Sequence, residues 1–451
     1  MPPLEQRLAD ALGGERLVRR LPVAAEAFLA KRGGDAAALR LEGGALRGVA
    51  RVVSTSAQAS RLLATRPALL ESIADCTAAN ASQRLAERAR RLLEGESQPP
   101  APDLELFLDA LRLLRRGETL YAACLHLGGL VAFGEVSSFL STLAESVVRR
   151  ALFQAQARTP AVESLSVLGM GKIGGREFTY HSDLDLIFLR RGGPEAIALA
   201  SRIGQRLVAY LATMTAAGVA YEVDTRLRPS GGQGMLVSSF DSFAAYQERD
   251  AQSWEHLVLM RARPIAGDLP GARDVLSRTR ARVLSRAGAP WDEVAKMRAR
   301  VELERAEKDE RADRIAFKTG PGGLMDVDFL AAGAPLERGA AARLPEIPSN
   351  PALLCSTIPA PSLEGLLGAY RELRRIEAIA RWVSGRAIEV FDPKSEAFAL
   401  CAELADSSDG VDGLRARIEA SRATIRAAFH AVLKRGSIDA LSAPPRRAPS
   451  W

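Results

Sequence analysis

Residues 167–189, VLGMGKIGGREFTYHSDLDLIFL, decide the fold because they contain two patterns that predict different folds. The first is the G-x-G-x-x-G spacing of dinucleotide-binding loops, formed by Gly169, Gly171 and Gly174. The second is a D-x-D pair, Asp183 and Asp185, which is typical of metal-dependent phosphoryl transfer. The residues around each pattern distinguish between the two.

The context of the glycine pattern disfavours a dinucleotide pocket. Such a fold needs a crossover helix of about a dozen residues after the third glycine, and an acidic residue roughly 20 residues further on. Here residues 175–183, GREFTYHSD, lead directly into the apolar run LDLIFL at 184–189. Only about two turns of helix fit between them. A dehydrogenase remains an alternative only if the protein binds NAD tightly and does not bind ATP.

The two aspartates lie in a run that we predict to be a strand. Because they are separated by one residue, their side chains project from one face, while Leu184 and Leu186 point into the core. Neighbouring carboxylates repel each other and take up protons unless a cation lies between them. Mg²⁺ suits them, since it binds one or two carboxylates together with phosphates and water.

A third predicted strand, within VAYEVDTRL at 219–227, supplies another carboxylate. Its alternation predicts that Asp224, Arg226 and Arg228 share one face. Three aspartates could hold two metal ions, and guanidinium groups suit phosphate oxygens. The opposing interpretation is that Asp183 is a turn residue and that the two arginines lie on an exposed strand edge.

Further contacts with a nucleotide are expected around these strands. We predict that Gly174 and Gly175 open a short helix and direct backbone N–H groups towards phosphates. The remaining candidates are polar side chains next to the glycines and aspartates or in a later glycine loop: Lys172, Ser182 and Lys318.

A second D-x-D, Asp326 and Asp328, follows the glycine loop in FKTGPGGLMDVDFL at 317–330. We predict that a helix begins there, where residues two apart point to nearly opposite sides. The two carboxylates therefore do not share a metal ion. Asp326 instead favours the N-terminus of the helix through its dipole.

The length of 451 residues predicts about three domains, at roughly 150 residues each. We expect an α+β fold in which a small α/β domain at 161–270 is flanked by mostly helical domains at 1–160 and 271–440. Asp103 is placed to cap a helix after the prolines that precede it. The Ala-, Gly- and Pro-rich stretch 331–351 is predicted to be an irregular loop, and the tail 441–451 to be disordered.

Composition excludes several partners and sites. The formal charge of +7 is spread along the chain, with no basic run interleaved with aromatic residues, so we expect no nucleic acid partner. No apolar run approaches the roughly 18 residues of a membrane span. The four cysteines have neither zinc-site nor disulfide-framework spacing, and we expect reduced thiols in the cytoplasm.

Four motifs together resemble the glutamine synthetase adenylyltransferase family of the DNA polymerase beta-like nucleotidyltransferase superfamily. They occur in the family's order within residues 167–330: GMGKIGGREFTYHSDLDLIF, YEVDTRLRPSGGQGMLVSS, WEHLVLMRARPIAGD and KTGPGGLMDVDFL. The helical regions on either side, including STSAQASRLLATRPALLESI and YRELRRIEAIARWVSGRA, are also similar. The family usually has two nucleotidyltransferase halves, and this chain contains motifs for one. The sequences of these motifs are more similar to those of the adenylylating half.

The resemblance implies an Mg²⁺-dependent enzyme that moves AMP from ATP to a tyrosine of glutamine synthetase. It matches Asp183, Asp185 and Asp224 to the metal-binding carboxylates, and the preceding helices to a region that responds to the PII signalling protein and glutamine. Alternatives are phosphorolytic removal of AMP on the same residues, or a non-catalytic nucleotide-binding regulator. Asp328 stands where the family generally has Glu, and the stretch 331–350 is looser than the family's helix.

Overall fold

A small mixed sheet lies along the chain between two groups of helices, which confirms the predicted α+β class. The structure is a computed structural model that describes residues 2–35, 38, 40–94, 100–157, 165–192, 197–286, 288–306, 309, 313–406 and 408–442. Within these ranges, no helix is long and apolar enough to cross a membrane.

Helices occupy the chain before the sheet. Asp103 begins the first of the two long ones as predicted, because its side chain accepts the N–H groups of Glu105 and Leu106 at 2.9 and 3.1 Å. These helices are α1 Leu4–Leu12, α2 Glu15–Ala24, α3 Glu26–Arg32, α4 Gly43–Thr55, α5 Ala57–Thr65, α6 Pro67–Ala74, α7 Ala81–Glu94, α8 Leu104–Leu127 and α9 Phe133–Ala157.

The sheet is built around its longest strand. The strands are β1 Ser166–Gly169, β2 Leu184–Arg190, β3 Val223–Asp224, β4 Val237–Ser239 and β5 Arg263–Ala266. Their order is β3-β2-β1-β5, and β4 pairs with β2 beyond the short β3. The pairs of β1 with β2 and β5 are antiparallel, whereas β3 and β4 run parallel to β2. β1 and nearly all of β2 are buried, as their continuous apolar runs require.

The predicted third strand is much shorter than its sequence pattern indicated. Only Val223 and Asp224 are extended, so the prediction that Arg226 and Arg228 continue the strand was wrong. The carboxylate of Asp224 accepts the backbone N–H of Arg226 at 2.8 Å, a local bond of the kind that turns a chain and ends a strand. β4 and β5 have three and four residues, too few for the periodicity to reveal them.

Helices also occur between the strands and after the sheet. Those among the strands are α10 Gly171–Gly174, α11 Ile197–Ala212, α12 Phe240–Arg249 and α13 Ser253–Leu259. Those after β5 are α14 Leu269–Arg286, α15 Trp291–Val301, α16 Leu324–Arg338, α17 Asn350–Cys355, α18 Ala360–Ser384, α19 Glu396–Leu404 and α20 Gly410–Arg435. α11 connects β2 to β3.

The stretch 331–351 contradicts the sequence prediction over its first part. α16 runs through it to Arg338, with Pro335 in its last turn, and residues 331–336 are all buried. Burial of this alanine-rich face outweighs the single N–H that a proline near a helix end removes. Residues 342–349 do form an irregular connection, and Leu441 and Ser442 of the predicted tail lie in a 3₁₀-helix, Ile438–Ser442. The rest of that tail, 443–451, lies outside the described residues.

Candidate active site

The edge shared by β2 and β3 brings three carboxylates together. Asp183 immediately precedes β2, Asp185 is its second residue, and the parallel register pairs Asp185 with Asp224 at the end of β3. Leu184 and Leu186 are completely buried, as the alternation predicted. The strand therefore anchors its apolar face in the core and leaves Asp183 exposed and Asp185 half-buried on the other.

Negative charge at this edge is only partly compensated. The pKa of Asp185 is raised from 3.8 to about 7, chiefly by burial and then by the negative charges of Asp183 and Asp224. Lys172 and Lys318 lower that pKa, but less than the other causes raise it. Such a cluster favours a cation or a bound proton.

Asp224 differs from the other two aspartates because Arg226 binds it. Nη2 of Arg226 lies 2.6 Å from Oδ2 of Asp224, and these hydrogen bonds lower the pKa of Asp224. Among the residues that the structure describes, no three His, Cys, Asp or Glu side chains are arranged to hold a metal ion. A metal set of Asp183, Asp185 and Asp224 therefore stays a prediction.

Gly174 and Gly175 end the short helix α10 rather than opening it, which corrects the sequence prediction. Their N–H groups donate to the carbonyls of Met170 and Gly171 at 3.2 and 3.0 Å, so neither is available to a phosphate. A Cβ on Gly174 would lie 2.0 Å from the carbonyl oxygen of Arg261. Close packing against the neighbouring backbone explains this glycine.

The predicted phosphate-binding side chains already have protein partners. Nζ of Lys172 lies 3.0 Å from Oε1 of Glu377 on α18, and Lys318 forms an ion pair with Glu389. Ser182 is buried in a turn, where its Oγ accepts the N–H of Thr179 at 3.1 Å.

Arg228 folds back on its own loop. Its guanidinium donates to the carbonyl oxygens of Thr225, Gly232 and Gly234 at 2.8 to 3.1 Å. Arg226 is the more accessible of the two arginines, with 81% of its side chain exposed. The structure thus separates two residues that the strand pattern had placed on one face.

A sequence profile described as glutamate-ammonia ligase adenylyltransferase matches residues 46–276, about half of the chain. The chain belongs to this family. The match spans α4 to the middle of α14, and so includes the three aspartates and the whole sheet. The resemblance inferred from the four motifs is confirmed.

Relatives in this family have been named for two activities. The chain is 35% identical over 317 residues to a protein of Thioalkalivibrio sulfidiphilus, 32% over 365 residues to one of Hahella chejuensis, and 34% over 374 residues to one of Chromobacterium violaceum. Each of them is called a bifunctional glutamine synthetase adenylyltransferase/adenylyl-removing enzyme. These alignments cover 63, 74 and 80% of this chain but only 32, 38 and 41% of the relatives. The chain thus spans about two fifths or less of their length.

Glu377 pairs with Lys172 but was not among the predicted site residues, although it lies within the quoted stretch YRELRRIEAIARWVSGRA. It is completely buried, and three cations surround its carboxylate: Lys172, Arg374 and Arg381. The positive charges lower its pKa far below the ordinary value although burial alone would raise it. A signal for it existed, because Arg374 and Arg381 lie three residues before and four after it, on one helix face.

A second buried network holds the loop between α10 and β2. Glu177 accepts hydrogen bonds from Arg261 at 2.6 Å, from Tyr370 at 2.7 Å and from the backbone of Asn350 at 3.1 Å. Arg261 also donates to Asp328, whereas Asp326 accepts the N–H of Gly322 at 2.9 Å. The loop carrying the aspartates is therefore fixed by residues from the C-terminal helices.

A cleft of about 840 Å³ opens beside Gly171, between α13, α15 and α16. Its walls are largely apolar and include Leu257, Met297 and Phe329, while Trp254 exposes 38% of its surface at the same cleft. This volume suits a ligand of nucleotide size. The cleft thus places binding space next to the loop that leads to the aspartates.

Proposed function

We propose that this chain catalyses Mg²⁺-dependent transfer of AMP from ATP to a tyrosine of glutamine synthetase. The observation that carries the proposal is the convergence of Asp183, Asp185 and Asp224 at one sheet edge in a member of this family. We further propose that helical domains at 1–160 and 271–440 flank a nucleotidyltransferase domain at 161–270, and that the enzyme is cytoplasmic.

The chemistry of the aspartates suits Mg²⁺, which would be held by Asp183, Asp185 and Asp224. Support comes from the raised pKa of Asp185, since three carboxylates held together without a cation repel one another. When bound, Mg²⁺ would neutralise phosphate charge and assist the departure of pyrophosphate.

The chain's own residues position and deprotonate the reactants. In the proposed reaction the tyrosine oxygen bonds to the α-phosphorus, the bond to the pyrophosphate oxygen breaks, and the tyrosine proton passes to Asp224. Lys172, Arg226 and Lys318 supply positive charge for the triphosphate, with Ser182 and Arg228 supporting the loops beside them. Most of the rate in such transfers comes from positioning and charge neutralisation.

Glutamine synthetase is proposed as the protein substrate because the relatives' names specify it. We propose that the helices before the sheet receive regulatory signals from the PII signalling protein and from glutamine. The names of the relatives also include removal of AMP, so the reverse reaction is tested beside the forward one.

The test is transfer of label from α-labelled ATP to glutamine synthetase, in the presence of Mg²⁺ and glutamine, with and without PII protein. Label should appear on the synthetase subunit with the native chain and with the control Asp241→Asn, an exposed carboxylate on α12. It should disappear with Asp183→Asn. No transfer by the native chain, or undiminished transfer by Asp183→Asn, would reject the proposal.

The reverse activity has its own readout on modified synthetase. Phosphate-dependent release of ADP, without forward transfer, would assign the chain to removal of AMP. Binding of ATP without either reaction would assign it to a nucleotide-binding regulator.

A further inference from the structure

A small pocket lies where four segments of the chain meet. Its walls come from α8, from the start of α5, from the loop that carries His181, and from the end of α18 at Trp382 and Gly385. Its volume is about 120 Å³. This is room for a small group such as one phosphate or carboxylate.

Positive charge accumulates at this pocket. Arg115 and Arg116 on α8 line it, and Arg61 and Arg66 on or beside α5 lie close enough to affect them. Burial lowers the pKa of Arg116, and the positive charges of Arg115, Arg66 and Arg61 lower it further. Arg116 is therefore repelled by three neighbouring guanidinium groups.

No carboxylate of the described chain forms an ion pair with any of these four arginines. Elsewhere, arginines of this protein find partners within the chain: Arg88 on α7 pairs with Glu118 on α8, and the buried Arg112 donates to backbone carbonyl oxygens. Clustered cations without a counter-ion are costly unless an anion binds among them. The arginines at this pocket thus lack a carboxylate partner among the described residues, and a bound anion would supply the negative charge.

Hydrogen-bonding capacity at the pocket is also unused. The guanidinium of Arg115 lies over the ring of Tyr221 at 5.1 Å, and its Nε is buried without a hydrogen-bond partner. Arg116 donates through Nη1 to the carbonyl oxygen of Ala217 at 3.0 Å, which leaves its other N–H groups for a ligand. Gln58 and Thr119 add neutral polar groups to the lining.

We propose that this pocket is an oxyanion-binding site that takes one phosphate-type group between Arg115 and Arg116. Phosphate matches the forked donors of arginine and the size of the pocket. His181, which lines the site, is two residues before Asp183, so the occupied site would contact the loop that leads into β2. The phosphate group comes either from free inorganic phosphate or from the tail of a bound nucleotide.

The experiment is calorimetric titration of the full chain with inorganic phosphate at fixed ionic strength. We expect saturable binding of one phosphate, weakened at least about tenfold by Arg115→Gln and by Arg116→Gln, since each removes a charge-assisted hydrogen bond. Gln58→Glu should weaken phosphate binding as strongly as the arginine variants do, because it adds a negative charge at the pocket. It leaves all four arginines in place. Arg90→Gln, at an exposed site on α7, should leave binding unchanged.

Gln58 is exposed, so its change tests the site even where an arginine variant fails to fold. Absence of saturable binding by the native chain would overturn the proposal. Native affinity in Gln58→Glu and in the folded arginine variants would overturn it as well.

Repeating the titration with saturating ATP separates the two sources of phosphate. Loss of the phosphate signal, with weaker ATP binding in Arg116→Gln, would assign the site to the nucleotide's tail. Simultaneous binding of both would assign it to free phosphate. These measurements do not use glutamine synthetase, so their outcome is independent of whether the chain transfers AMP.

Discussion

Asp185 and Glu377 are two carboxylates near Lys172 with opposite surroundings. Asp185 lies beside two other aspartates, and its pKa is raised to about 7. Glu377 is more deeply buried, but Lys172, Arg374 and Arg381 surround it and lower its pKa well below the ordinary range. Burial acts in the same direction on both, so the neighbouring charges make the difference.

The difference separates a carboxylate that the chain itself compensates from one that it compensates only in part. Glu377 is satisfied by the chain itself and joins α18 to the glycine loop. The aspartate cluster is left with negative charge that the chain neutralises only in part, which is the property expected of a binding site for a cation. Lys172 belongs to both environments, and burial lowers its pKa from 10.5 to about 8 while Glu377 opposes that effect.

The largest expected effect is on stability, from Glu377→Gln. Removing this buried charge leaves Arg374 and Arg381 without their main partner, which should lower the free energy of unfolding by about 3 kcal/mol or more. Urea denaturation measures it. The control is Glu419→Gln, whose exposed pair with Arg415 should matter little. An equally small change for both variants would contradict the comparison.

Asp185→Asn should have the opposite effect on stability while abolishing AMP transfer. Replacing a repelled carboxylate with a neutral amide should stabilise the metal-free protein by roughly 1–3 kcal/mol at pH 8. Denaturation in EDTA measures this gain, and the label-transfer assay measures the loss. A destabilised Asp185→Asn would mean that the carboxylate has a partner that compensates it.

The pH dependence of that gain follows from the raised pKa of Asp185. Between 3.8 and about 7 the unfolded chain has released the proton and the folded chain retains it, so the contribution of this group to stability falls as pH rises. The native protein should therefore lose stability relative to Asp185→Asn between pH 4 and pH 7, and no further above pH 8. Parallel stability profiles for the two proteins would show that Asp185 titrates normally.

Mg²⁺ should stabilise the native protein by a smaller amount, a rise of a few degrees in Tm at saturating metal. Asp183→Asn should remove this rise, whereas Asp241→Asn should keep it. Differential scanning fluorimetry with Mg²⁺ and with EDTA provides the comparison. An identical rise in Asp183→Asn would place the metal elsewhere on the protein.

The smallest effect on stability is expected for Arg226→Gln. Arg226 is highly exposed, so losing its bond to Asp224 should produce no resolvable change in unfolding. It should weaken ATP binding measured by calorimetry, since the arginine adds positive charge at the carboxylates. Unchanged ATP affinity would restrict Arg226 to holding the turn after β3.

Local patterns predicted those features that depend on residues close in the chain. Alternation placed Leu184 and Leu186 in the core and Asp183 and Asp185 away from it, because successive side chains of a strand face opposite sides. Asp103 was recognisable as a helix cap because it acts locally: its side chain accepts hydrogen bonds from backbone N–H groups only two and three residues ahead. The four motifs sufficed to identify the family.

Predictions failed where a specific hydrogen bond or burial overrode the average preference of a stretch. The alternation over 219–227 favoured a strand, but the bond from Asp224 to Arg226 ended it. The composition of 331–351 favoured a loop, but burial made residues 331–336 part of α16. In both cases one specific interaction outweighed a weak average preference.

The sequence by itself determined the strand that presents Asp183 and Asp185, the α+β class and the family. Only the tertiary structure decided which charges are compensated. Lys172 and Glu377 are 205 residues apart in the chain, and no periodicity links them. Likewise, Arg115 and Arg116 on α8 meet His181 only after the helices have packed around the loop. Electrostatic compensation depends on distance in space and on burial, and both exist only once the chain has folded.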